Sequence, residues 1–194
     1  MTIKTNLCAA AIFILNASSP GCADDKTFLL ISTELGDITV EIYADKAPVT
    51  AANFLEYVDK NSFQNSKFYR VVRDDNQPDN EVKIDVIQGG LYSEQKMFTP
   101  IEHETSDRTG IKHLNGVISM ARNEPGTATS EFFICIGDQP ELDYRGKRNP
   151  DGQGFAAFGK VVDGMDIVRK IHQQPADGQM LAPEIRINSV SRFK

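Results

Sequence analysis

The stretch GVISMARNEPGTATSEFFICIG, residues 116–137, decides how the chain is laid out. GVISMAR (116–122) and SEFFICIG (130–137) have the short apolar content of strands. The seven residues between them, NEPGTAT (123–129), hold Pro125 and Gly126 and read as a loop. A loop stands where a parallel sheet would need a crossover helix.

The same alternation of short strands and turns extends outward. TFLLIST (27–33) and ITVEIYA (38–44) are two strands joined by the Gly-containing turn ELGD. In the second, Ile38, Val40 and Ile42 alternate with Thr39 and Glu41, so one face is solvated. KAPVTAANFLEYVDK (46–60) reads as a helix, with Pro48 suited to its first turn. Ala47, Ala51, Phe54, Tyr57 and Val58 fall on one stripe at helical spacing. KFYRVV (67–72) is a strand, RDDNQPDNE (73–81) a polar loop and VKIDVIQ (82–88) a strand ended by Gly89 and Gly90. Val82, Ile84, Val86 and Gln88 share one face of it. Beyond the opening stretch, RGKRNPDGQ (145–153) is a long loop and GFAAFGKVV (154–162) a strand. GMDIVRKIHQ (164–173) is a short helix with Met165, Val168 and Ile171 or His172 facing inward, and EIRINSVS (184–191) is a closing strand. Strands do not alternate with helices, which argues against a doubly wound parallel sheet. The order fits a mostly β, closed antiparallel sheet with helices covering its ends.

The chain has 194 residues, 40% hydrophobic and 25% charged, enough for one domain with its own core. A net charge of −6 excludes a general nucleic-acid or anionic-membrane surface. The first 23 residues differ from the rest: Lys4, an apolar run from Leu7 to Leu15, then small residues ending in Gly21-Cys22-Ala23. This is the layout of an export signal, too short for a membrane span, with the mature domain expected from Asp24 to Lys194. The expected location is the periplasm. Lipid attachment at Cys22 is the less favoured alternative, because Ser19-Pro20-Gly21 matches a lipoprotein signal poorly. Of three cysteines, Cys8 and Cys22 fall in the leader, and Cys135 reads as a small buried hydrophobe.

Reactive chemistry is sparse. There is no phosphate loop, no nucleophile elbow and no His-Glu-x-x-His motif. Glu102-His103-Glu104 is dense, but neighbours in a strand point apart. His103 and His113 read as surface or strand-end residues, and His172 as a helix-end cation. No metal and no cofactor are expected. The odd residue is Arg70, a guanidinium sharing a strand face with Phe68 and Val72, with Tyr69 and Val71 opposite. On these six residues alone, an arginine reaching to solvent is the simpler reading.

FYRVV…VIQGG, GVISMARNEPGTATSEFFICIG and GFAAFGKVVDGM together resemble the cyclophilin family of peptidyl-prolyl cis/trans isomerases, in its bacterial form. APVTAANFLEYV resembles the family's first helix, and the likeness runs from about Phe28 to the C-terminus. It implies an eight-stranded antiparallel barrel capped by two helices. It implies that Arg70 is catalytic, and that Phe133, Val86, Leu142 and Phe155 build a proline pocket. Gln88 would hold the arginine or the substrate. Ala121 and Arg122 would line the groove for residues before proline, Arg122 mostly through its backbone. The implied partners are proline-containing polypeptides, with the enzyme expected to be a monomer. A proline-peptide binding module or chaperone with little turnover is the alternative. Four positions depart from the family pattern. Tyr69 replaces a common His, on the face away from Arg70. Asp85 stands where an aromatic pocket wall is usual. Glu131 replaces a common Gln. Glu141 takes the place of the Trp that contacts cyclosporin in eukaryotic members, implying weak binding of that inhibitor. The segment between Arg70 and Gln88 is also longer than usual, placing an inserted loop, Arg73–Glu81, beside the site.

Overall fold

The computed structural model describes residues 26–93 and 97–193; the expected leader and the candidate lipid site at Cys22 lie outside the described residues. Nine strands and three helices follow one another as β1 (Thr27–Thr33), β2 (Gly36–Ile42), α1 (Pro48–Asp59), β3 (Ser66–Val72), β4 (Val86–Gly90), α2 (Ser106–Thr109), β5 (Val117–Met120), β6 (Phe132–Cys135), β7 (Ala156–Asp163), α3 (Met165–His172), β8 (Ala176–Asp177) and β9 (Met180–Phe193). The sheet runs β1-β2-β7-β5-β6-β4-β3-β9, and β9 pairs back onto β1. Eight strands thus close on themselves, every pair antiparallel, leaving no open edge in the ring. The two-residue β8 forms a small hairpin arm on β9 outside the ring. The expected mostly β barrel is observed, with one helix more than expected because α2 is a single four-residue turn.

The barrel's interior is aromatic. All five stripe residues of α1 (Ala47, Ala51, Phe54, Tyr57 and Val58) are buried. Phe54 sits within 5.3 Å, centroid to centroid, of Phe63, Phe132 and Phe158, so one ring ties the helix to β6 and β7. On α3, Val168 and Ile171 face the core, while Met165 is only half-buried. His172 points its Nε2 at the Val72 carbonyl, 3.0 Å away. No described helix is long and apolar enough to cross a membrane.

The start of α1 is capped from far away in sequence. Ala47 at its N-terminus offers no side-chain acceptor. The buried carboxylate of Glu104 accepts instead from the Val49 N–H (3.2 Å), the Thr50 N–H (2.7 Å) and the Thr50 hydroxyl (2.6 Å).

One irregularity positions the site. In β3, Phe68 pairs with Gly89 and Arg70 with Gln88, so Tyr69 is an extra residue, a bulge. The expected alternation therefore breaks. Phe68 and Val71 enter the barrel core, and Val72 joins a separate apolar cluster on the outer side. Tyr69 and Arg70 both turn toward that outer side, correcting the expectation that they face apart. The paired strand leaves little room there: a Cβ on Gly89 would lie 2.7 Å from the Lys67 carbonyl oxygen, which is why β4 ends in glycine.

Candidate active site

An open groove of about 700 Å³ crosses the barrel's outer surface. Its floor is the second apolar cluster: Val72, Ile84, Val86, Phe133, Cys135 and Leu142, with Ala121 and Phe155 packed against it. These residues come from β3, β4, β6 and the segments between strands, so no local segment could form the floor alone. Phe133 and Phe155 meet edge to face, centroids 5.2 Å apart. Cys135 backs the floor, and burial pushes its thiol pKa well up, leaving it inert.

All eight expected site residues line this one groove: Arg70, Gln88, Val86, Ala121, Arg122, Phe133, Leu142 and Phe155. Asp85 does not. It turns away toward His172 Nε2, 3.5 Å distant, and Ile84 supplies the wall instead. On the segment entering β4, Ile84 packs in the same cluster as Val86 while Asp85 between them turns to His172.

Arg70 is held as a fork. Its Nε and Nη2 donate to Gln179 Oε1 at 3.0 and 2.6 Å, and its Nη1 donates to Gln88 Oε1 at 2.7 Å. A guanidinium has five N–H donors. Three are used, so one N–H on each terminal nitrogen is without a partner among the described residues. Burial lowers the Arg70 pKa from its ordinary value, but the group starts so high that it stays charged at neutral pH.

The Gln88 amide cannot turn over. Its Nε2 donates to the Tyr69 hydroxyl (2.8 Å), which donates to Glu131 Oε2 (2.5 Å). Each link fixes the next, because Arg70 can only donate and an ionised carboxylate can only accept. Burial and the Glu131 charge both raise the Tyr69 pKa, keeping the phenol a neutral donor. Tyr69 thus belongs to the site, correcting the expectation that it lies on the face away from Arg70.

Two further residues support the groove from behind. The Arg122 side chain is buried: Nε and Nη2 donate to the Gly154 carbonyl (2.9 and 2.6 Å) and Nη1 and Nη2 to Asp151 (2.8 and 2.9 Å). Its guanidinium also lies 5.2 Å from the Phe155 ring, pinning that wall. His113 is buried, not a surface residue. It stacks on Phe133 and bridges Asp143 (2.8 Å) to the Ser119 hydroxyl (3.0 Å). His103 is buried as well, its Nε2 3.2 Å from the Gln153 carbonyl. Among the described residues, no three His, Cys, Asp or Glu side chains cluster as a metal site. Gln179 was not foreseen, and nothing near it in sequence marks it. It reaches Arg70 only because the β8–β9 hairpin folds back beside β3, where the Val71 N–H donates to the Gln179 carbonyl.

A closed antiparallel barrel with an arginine at the rim of an apolar groove on its outer side defines a cyclophilin-like protein. A family model described as cyclophilin type peptidyl-prolyl cis-trans isomerase/CLD matches residues 28–192, and the chain belongs to that family. Peptidyl-prolyl cis-trans isomerase A of Dickeya dadantii is 36% identical over 178 residues, 88% of this chain and 86% of that one. Peptidyl-prolyl cis-trans isomerase B of Escherichia coli is 35% identical over 144 residues, 72% and 80% of the two chains. A crystal structure of a cyclophilin type isomerase from Cryptosporidium parvum superposes with a TM-score of 0.68 at 22% identity, covering 87% of this chain and 98% of that one, a likeness of fold. The activity is therefore peptidyl-prolyl cis-trans isomerisation.

Proposed function

We propose that Arg70 catalyses rotation of X–Pro bonds by hydrogen bonding to the twisted proline nitrogen while the ring sits on Phe133. The observation that carries this reading is the Arg70 fork, fixed by Gln88 and Gln179 at the rim of the apolar floor with two N–H groups to spare. Resonance gives the planar peptide bond a rotation barrier of about 18–20 kcal/mol. No bond is made or broken, so a catalyst need only bind the twisted amide better than either planar isomer. At the twisted geometry the nitrogen's lone pair is freed and becomes an acceptor. Bringing a ~100 s event to ~1 ms takes about 7 kcal/mol. A charge-assisted hydrogen bond in a partly dry groove supplies ~3 of it, and binding and orientation supply the rest. A binding module without turnover would draw on an altered wall at Asp85 and on the inserted loop; at the wall, Ile84 supplies an apolar surface.

A protease-coupled isomerisation assay run beside a peptide titration tests the reading. Acceleration of cis-to-trans exchange is expected; binding without acceleration would reject it. Gln179→Ala leaves the charge but frees two of the three fixed N–H groups. It is expected to lower kcat about fivefold, ~1 kcal/mol, with KM little changed. An equal loss in KM would assign Gln179 to substrate binding instead.

We further propose that the enzyme is exported as a monomer to the periplasm, where it acts on folding proteins. The Lys4-to-Ala23 layout supports this. Mass spectrometry of the purified protein is expected to find Asp24 as the first residue. An intact Met1, or a lipid-modified Cys22, contradicts it.

A further inference from the structure

The inserted loop between Arg70 and Gln88 builds something of its own. Gln77 is buried at 1% exposure. Its Nε2 donates to the Arg73 and Ile84 carbonyls, fastening the loop across its own base. Its Oε1 accepts from Arg148 Nη1 at 2.9 Å, and the Val82 carbonyl accepts from the same nitrogen at 2.7 Å. Arg148 lines the groove that holds Arg70. Gln77 lies within the inserted loop and Val82 directly follows it, so the insertion and its exit fix where this second guanidinium stands.

Charge in the groove is left unbalanced at this end. Arg70 and Arg148 bond only to neutral amide and carbonyl oxygens. Arg122 is different, since Asp151 neutralises it. Among the described residues the groove's one carboxylate, Glu131, is engaged at the Tyr69 corner. Burial and the nearby Arg70 charge both lower the Arg148 pKa from its ordinary value, the mark of two like charges sharing a half-buried space. Next to Arg148, Asn149 also lines the groove, and its buried Nδ2 donor has no partner among the described residues. Two guanidiniums and an unused amide N–H together want an anion.

We propose that Arg148, positioned by Gln77, is a specificity residue that recognises an acidic side chain following the substrate proline. The proposal rests on the reading of the apolar floor as the proline pocket. If residues before proline run along the flank of Ala121, the chain leaves over the opposite flank, where Ile84 and Arg148 stand. A Glu there places its carboxylate near Arg148 and the free Asn149 N–H. A Gln offers the same shape without the charge, and a Lys meets repulsion from both arginines.

The test uses peptides Ala-Ala-Pro-Zaa-Ala with Zaa as Glu, Gln or Lys, followed by NMR exchange spectroscopy, which needs no coupling protease. Wild-type kcat/KM is expected to be about tenfold higher for the Glu peptide than for Gln, and lowest for Lys. The Glu-to-Gln ratio is expected to fall toward one in 1 M salt, where charges are screened beyond ~3 Å. Arg148→Gln is expected to bring the ratio to about one at low salt as well, and Arg148→Lys to restore part of it. A merely structural Arg148 would change all three rates alike and leave the ratio and its salt dependence intact. A wild-type ratio near one, or one that survives Arg148→Gln, overturns the proposal while leaving the isomerase reading standing. Acceleration of none of the peptides overturns both.

Discussion

Arg70→Ala is expected to lower kcat/KM on a proline-containing peptide about a hundredfold, with far-UV circular dichroism unchanged. The factor follows from losing ~3 kcal/mol of transition-state hydrogen bonding, at ~1.4 kcal/mol per tenfold. The loss should fall mainly on kcat, because the ring still finds the apolar floor and only the twisted nitrogen misses its donor. Stability should hardly move. Arg70 belongs to neither apolar cluster, and Gln88, whose oxygen it leaves behind, lines the open groove where water replaces the guanidinium. Arg70→Lys should recover only a small part, since an ammonium keeps the charge but cannot span Gln88 and Gln179 as a planar fork. A tenfold or smaller loss in Arg70→Ala would move the weight of catalysis to binding and orientation. Unchanged turnover would reject the role outright.

Glu104→Ala is expected to lower the melting temperature by about 10 °C. Three donors of the first turn of α1 would lose their acceptor at once, two of them buried away from water. A lost cap typically costs 0.5–2 kcal/mol and a buried unsatisfied donor 1–3. The total is ~3 kcal/mol, and a domain of this size loses roughly 2–4 °C per kcal/mol. Glu104→Gln should do less harm, as its amide oxygen still accepts but without the charge that suits a helix N-terminus. A shift under about 3 °C for Glu104→Ala, measured by scanning calorimetry, would show that water replaces the carboxylate. The same dense triplet, Glu102-His103-Glu104, holds residue types that can bind a metal. The fold separates its side chains: Glu102 pairs with Arg108, His103 meets the Gln153 carbonyl, and Glu104 caps α1.

The strands and their antiparallel order were legible because period-two alternation and turn residues are local signals. The stripe Ala47-Ala51-Phe54-Tyr57-Val58 was legible for the same reason at helical period. The site residues came as a set from long motifs. What the string of residues does not mark is where alternation breaks and which distant groups meet. Tyr69 was placed away from Arg70 because a bulge cannot be seen in KFYRVV. Asp85 was placed in the pocket wall because motif position was followed there and the alternation of Ile84 and Val86 was not. His113 was placed on the surface because its partners, Asp143 and Ser119, are distant or on another strand.

By itself the sequence determined the antiparallel, mostly β layout through local alternation, and the family and the apolar set that floors the groove through the resemblance of its long motifs. Only the tertiary structure decided how Arg70 is aimed, because Gln179 reaches it across 109 residues of chain. It also decided what caps α1 and what holds Arg148. Hydrogen bonds at long sequence separation depend on where strands meet, and a string of residues carries no period that records a meeting.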